Sequence, residues 1–179
     1  MRSVLVLVAT ASLAGCALLG MHDDGAGAAG ASAQQDAGYL HDISQGNLET
    51  IAAARLAVAK GQSLAVKRFG RWMLDEHAAL EAQAEALART KGFAPPSGPD
   101  PRGQAVLDEL QALASERFES AYLQQTVEGQ ADMLQVLDAA ASRAHDARLR
   151  MLAVQAAVHA RQHLAEARRL AGDMPDPAR

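Results

Sequence analysis

Along residues 64–92, Val66, Phe69, Met73, His77, Leu80, Ala84 and Leu87 recur three or four positions apart, with charged and small residues between them. That spacing places all seven on one stripe of a single long helix, and the stripe includes a histidine. Gly92 supplies a C-terminal stop, and Pro95 and Pro96 forbid continuation.

Three more segments carry the same period. Over residues 39–60, Leu40, Ile43, Asn47, Ile51, Ala54 and Val58 share a face, with Thr50 on its edge and Glu49 projecting toward solvent. Gly61-Gln62-Ser63 then breaks the helix, and Ser63 is a suitable N-cap for the next. Residues 93–102 hold four prolines and are expected to cross the end of the bundle. A third helical region is expected over residues 104–141. Its seam changes phase near Phe118, which predicts a kink or break over 115–118. Downstream, Leu123, Val127, Gln130, Leu134, Leu137 and Ala141 form the inward stripe, so a polar Gln130 sits on an apolar seam. The last helix, over 145–171, turns Leu149, Leu152, Ala153, Ala156, Ala160, Leu164 and Ala167 inward, with His163 among them and His159 at the edge. Met151, Val154 and Val158 make a second apolar stripe on its opposite side, flanked by Arg150 and Arg161. A neighbouring helix, including the segment 104–113, is expected to cover that stripe; the alternative is a contact face for a homodimer or an envelope protein.

Four amphipathic helices with one longer connection predict an all-α protein, an antiparallel four-helix bundle over residues 37–173, followed by a short polar tail, 174–179. Composition agrees. Hydrophobic residues make up 49% of the 179 but aromatics only 3%. A core of Ala, Leu and Val suits close helix packing better than a β-sandwich. The formal charge of -4 is spread along the helices. No basic patch or aromatic-studded groove is present, which argues against nucleic acid as a partner.

The N-terminus changes the picture of where the domain works. Arg2 is a minimal positive region, and residues 4–11 are an apolar run too short to span a bilayer, so residues 1–15 read as a signal peptide. Leu13-Ala14-Gly15-Cys16 resembles the bacterial lipobox, in which cleavage precedes the cysteine and its thiol accepts lipid. Cys16 is the chain's single cysteine. Several acyl chains at about 0.8 kcal/mol per buried methylene would anchor the protein stably. Ala17 rather than Asp after the cysteine fits transfer to the outer membrane, with the domain facing the periplasm. Residues 16–36, rich in Gly, Ala and Ser and without periodicity, read as a flexible tether.

Val66-Lys67, Phe69, Met73 and His77 in the second helix, Asn47-Leu48 and Leu56-Ala57 in the first, Phe118-Glu119 with Tyr122 in the third and His163-Leu164 in the last follow a recognisable order. In these motifs the chain resembles a bacterial family of exported proteins, the domain-of-unknown-function family 4142, from about residue 39 to 170. The resemblance implies a ferritin-like bundle without an established activity. The chain departs from the family pattern at Thr50, where an acidic residue is usual, at Gln130 in place of histidine, and at Val158 in place of proline.

A ferritin-like di-iron centre needs carboxylates from the helices and two Glu-x-x-His pairs. The residues three before His41, His77, His145, His159 and His163 are Gly38, Leu74, Ser142, Ala156 and Ala160, so no histidine qualifies. Glu49 and Asp75 point away from the seams and Glu76 only flanks one. A single transition metal held by His77 and His163, with His159 as a third ligand, is the remaining metal reading. Against it stands the plainer expectation that these are core histidines satisfied by Gln130, Asn47 or Thr50. No cofactor is expected otherwise. There is no nucleophile elbow, no serine beside a His–acid pair and no phosphate-cradling loop, so a non-catalytic binding or structural module is the leading reading.

Overall fold

The computed structural model describes residues 24–172. The signal-like segment 1–15, Cys16, the start of the tether and the polar tail lie outside the described residues. Among the described residues the chain is all-helical: α1 (Asp24–Lys60), α2 (Leu64–Thr90), α3 (Pro101–Ala112), α4 (Ser115–Arg143) and α5 (Ala147–Gly172).

The helices α2 and α5 follow the sequence pattern closely. All seven stripe residues of α2 are buried, joined by Gly70, Glu81 and Ala88. In α5 the expected inner face is buried together with His163 and Leu170. Their ends are set as the sequence predicts. Ser63 caps α2 by accepting the Val66 amide at 3.1 Å. Gly92, at φ 75°, closes α2 by letting the Phe93 amide reach the Ala88 carbonyl at 2.9 Å, a bond that needs a left-handed residue.

Three expectations are corrected. First, α1 begins at Asp24, not near residue 39, so much of the expected flexible tether is helix. Alanine is the strongest helix former, and extending an existing helix is far easier than nucleating one. Second, the kink or break expected over 115–118 is a complete break and lies slightly earlier, at Leu113–Ala114, where it separates a short α3 from α4. The inward face of α4 is also rotated: Phe118, Glu119, Tyr122, Thr126 and Ala140 are buried, while Val127, Leu134 and Ala141 are only partly so. Third, α3 does not cover the outer stripe of α5. It lies on α1 and touches α4, leaving Met151, Val154 and Val158 exposed at 72%, 55% and 50%.

The four long helices pack α1 on α2 and α4 on α5, with further contacts of α1 to α4 and of α2 to α5. The core is split in two. One cluster holds Leu40, Ile43, Leu80, Leu137, Leu149 and Leu152; the other holds Phe69, Met73, Leu110, Phe118, Tyr122 and Leu123. Groups from neighbouring elements satisfy the helix ends. Glu119 of α4 accepts the Gln62 and Ser63 amides at 2.5 Å each, where α2 begins. Lys60 of α1 donates to the carbonyls of Leu110 (3.4 Å), Gln111 and Leu113 (2.8 Å) at the end of α3. Both placements also suit the helix dipoles.

Asp36 does the same for the turn before α5. It is buried, and its two oxygens accept the His145 and Asp146 amides at 2.8 Å each. The expected tether therefore ends in a structural residue. Asp36→Ala is expected to destabilise the protein by about 1–2 kcal/mol, the usual range for losing such a side-chain cap. At this size that is a fall in Tm of roughly 2–8 °C. Thermal melts beside the exposed control Gln34→Ala check it; equal midpoints would remove Asp36 as an anchor.

Candidate functional site

Between the two apolar clusters lies a polar layer. Glu81 is buried on α2, one turn after His77. Burial pushes its carboxyl above the usual range, and hydrogen bonds from Ser44 and Asn47 of α1 counter that rise. Asn47 donates to Glu81 Oε2 at 3.2 Å, so its Oδ1 faces the other way and takes the His77 Nδ1 proton at 2.9 Å. With that proton on Nδ1, His77 Nε2 is left as an acceptor, and the Gln130 amide nitrogen on α4 approaches it at 3.4 Å. The chain of groups orients itself from Glu81 to Gln130. It leaves Gln130 Oε1 buried without a protein partner.

His163 of α5 stands beside His77, with ring centroids 5.1 Å apart, and is fully buried. The sequence expectation that these two histidines meet is met in space. Their nitrogens, however, are engaged differently. His163 Nε2 donates to Glu76 Oε2 at 2.9 Å, and His159 Nδ1 reaches the same oxygen at 2.6 Å. Glu76, read from the sequence as merely flanking the seam, is where both α5 histidines converge. Burial raises its carboxyl, but the hydrogen bonds of Trp72 and His159 and the nearby histidines outweigh this and hold it below the usual range. Phe69 and Trp72 pack edge-on against His163. Among the described residues no group of three or more His, Cys, Asp or Glu side chains stands ready to hold a metal ion.

Burial, reinforced by the neighbouring His163, holds His77 down to about 3, so the ring is neutral at any ordinary pH. Burial also lowers His163, against the pull of Glu76. A neutral, hydrogen-bonded His77 makes a poor proton shuttle. Thr50, the other expected partner, lies instead on the wall of a cavity.

That cavity, of about 380 Å³, lies open to solvent between α1, α3 and α4, with Met73 and His77 of α2 at its back. Tyr122, Thr126 and Gln130 line it with Leu107 and Leu110. Thr126 donates its hydroxyl to the Tyr122 carbonyl at 2.8 Å and is the side chain that interacts with the buried Tyr122 hydroxyl. Burial pushes the Tyr122 phenol upward, so it keeps its proton and remains a donor. Glu49 is also on the wall, not in open solvent as expected, because α3 folds back over it. The close approach uses Gly103: a Cβ there would lie 2.3–2.6 Å from the Glu49 carboxylate and Cγ. Burial, then the charge of Asp100, raises Glu49 above the usual carboxylate range. The sequence reading missed this cavity because it arises from the backfolded α3. The one available signal was the phase change before Phe118.

Depressed histidine pKa values make stability pH-dependent. Below about 6.5 the unfolded chain protonates His77 while the folded chain, down to about 3, does not. The folded state therefore loses stability as pH falls through that window, at up to about 1.4 kcal/mol per pH unit for one such histidine. Urea unfolding at pH 7 and pH 5 should show a smaller loss in His77→Gln than in the parent protein; an identical loss would contradict a neutral buried His77.

Comparison with known families places these residues in context. A family described as "Domain of unknown function (DUF4142)" matches residues 22–170, which span all but the last two residues of the helical body and include the polar layer and the cavity. No curated protein and no solved structure matches the chain. Covering most of the sequence, that match establishes that the chain belongs to the DUF4142 family.

Proposed function

We propose that this protein is a lipoprotein of the bacterial outer membrane whose periplasm-facing domain, a ferritin-like antiparallel four-helix bundle, is a non-catalytic binding module for a small molecule. The pairing of α1 with α2 and of α4 with α5, bridged by a long connection that contains α3, supports the bundle assignment. The lipobox-like Leu13-Ala14-Gly15-Cys16 supports the anchor. The observation that carries the binding role is the cavity: it is mostly apolar, of ligand size, and backed by the Tyr122 hydroxyl and by a buried Gln130 Oε1 that lacks a protein partner. Such atoms cost free energy unless something pairs with them, and apolar pockets with a few convergent polar groups are the usual form of ligand sites. A neutral, hydrogen-bonded His77 and the absence of a nucleophile pattern favour binding over catalysis.

The test has two arms. Cys16→Ala should move the protein from the membrane to the soluble fraction and end acyl labelling; unchanged fractionation would remove the anchor. For the cavity, amide NMR shifts on titration with 4-ethylphenol should map to Leu107, Thr126 and Gln130. They should weaken in Gly129→Phe, where a side chain at the cavity wall starts in open space. Shifts that map elsewhere would remove the binding role.

A second reading has its own observation. The convergence of His159 Nδ1 and His163 Nε2 on one Glu76 oxygen supports a single transition metal near His77 and His163, one that would have to displace these two hydrogen bonds and rearrange the side chains, because no three such groups stand ready to hold an ion among the described residues. Elemental analysis and zinc titration of the untagged protein should then give one metal per chain. The half-exposed His159→Ala should lose it, and a metal-free parent that takes up no zinc would end this reading.

A further inference from the structure

The charges around the cavity are one-sided. Glu49, Asp100, Glu128 and Asp132 line it, with Arg102 the one basic residue among its lining groups. Glu128 and Asp132 are exposed on α4, Asp100 precedes α3, and Glu49 is half-buried on α1, so the carboxylates ring the opening. The inner wall is different. Both His77 nitrogens are already engaged there, by Asn47 and Gln130, and the groups that remain are Tyr122 OH, Gln130 Oε1 and the lone pairs of Thr126 Oγ. Val106, Leu107 and Leu110 of α3 line one side, and Met73 of α2 lies at the back.

Each layer selects a different part of an occupant. An anion is repelled at the rim. A cation is attracted there but cannot go deep, because no carboxylate lines the inner wall and an unpaired buried charge is very costly. The inner wall offers acceptors in Gln130 Oε1 and Thr126 and both roles in Tyr122, so it suits an uncharged hydroxyl or amide N–H. The rim is also short of cations: Asp100 spends one oxygen on the Gly103 amide at 2.8 Å as the N-cap of α3, and Glu49 stays above its usual range beside it.

Building on the binding role above, we infer that the cavity takes a small organic amine. Its ammonium sits among Glu49, Asp100 and Asp132, its apolar body lies against Met73, Leu107 and Leu110, and its far end carries a hydroxyl or amide that pairs with Gln130 and Tyr122. Charge selects at the mouth, and hydrogen bonding selects at the back.

Three probes of one shape separate these roles: tyramine has both ends, phenethylamine lacks the hydroxyl, and 4-ethylphenol lacks the ammonium. Titration of the full chain by calorimetry and amide NMR should find tyramine the tightest. A partly exposed charge pair is worth about 0.2–1 kcal/mol, so Glu49→Gln or Asp132→Asn should each weaken tyramine by roughly 1.5- to 5-fold and leave 4-ethylphenol unchanged. Raising salt should act in the same way. Tyr122→Phe should erase the advantage of tyramine over phenethylamine. Equal binding of tyramine and 4-ethylphenol would overturn the amine inference while leaving the binding role in place. Failure of all three probes to shift cavity amides would overturn both.

Discussion

A carboxylate, an amide, an imidazole and a second amide run in sequence through the middle of this helical protein, and each must find its partner away from water. Glu81, Asn47, His77 and Gln130 meet that demand with one another, and the direction of every hydrogen bond follows from the one before it. Buried polar groups are expensive when unpaired, so α1, α2 and α4 can hold only the register that aligns these four side chains. The chain also divides the apolar core into two clusters, one on each side of the layer. A core of Ala, Leu and Val alone would tolerate sliding of one helix along another far more readily. The polar layer makes the packing specific.

The same demand governs the helix ends, and there it connects distant parts of the sequence. Asp36 closes the turn before α5, Glu119 takes the amides at the start of α2, and Lys60 takes the carbonyls at the end of α3. Helix α3 is held at its other end as well, by Gln45 bonding the Asp100 amide at 3.0 Å and by Glu49 against Gly103. Pinned at both ends along α1, this short helix becomes the outer wall of the cavity. The cavity thus depends on the caps as much as on the core. Its inner wall is the far end of the polar chain, where Gln130 has given its amide hydrogen to His77 and keeps an unpartnered oxygen. Structural layer and candidate binding site share His77 and Gln130.

Periodicity made much of the fold legible. The stripes of α2 and α5, the Ser63 cap and the Gly92 stop are local facts, set by a 3.6-residue repeat and by backbone conformations that neighbouring residues dictate. Asn47, His77, Gln130 and His163 stand on seams for the same reason, so their burial could be read from spacing. Their partners could not. Glu81 lies on the α2 stripe's flank, and Glu76 on another; only the approach of α1 and α5 decides that one carboxylate serves Asn47 and the other serves two histidines.

Composition misled in one place, and long-range contacts outweighed local preference in the others. Residues 24–36 resemble a linker in composition, yet alanine's helix propensity and the burial of Asp36 carry α1 through them. Glu49 belongs to the outer face of α1 until α3 folds over it. The outer stripe of α5 fits a covered surface until α3 takes the other side of the bundle. The sequence by itself determined the inward stripes of α2 and α5, the Ser63 cap and the Gly92 stop, because these rest on interactions within a few positions of the chain. The tertiary structure alone decided which inward groups meet, where the cavity lies and which charges surround it. Those depend on residues far apart in the chain, brought together only when the helices pack.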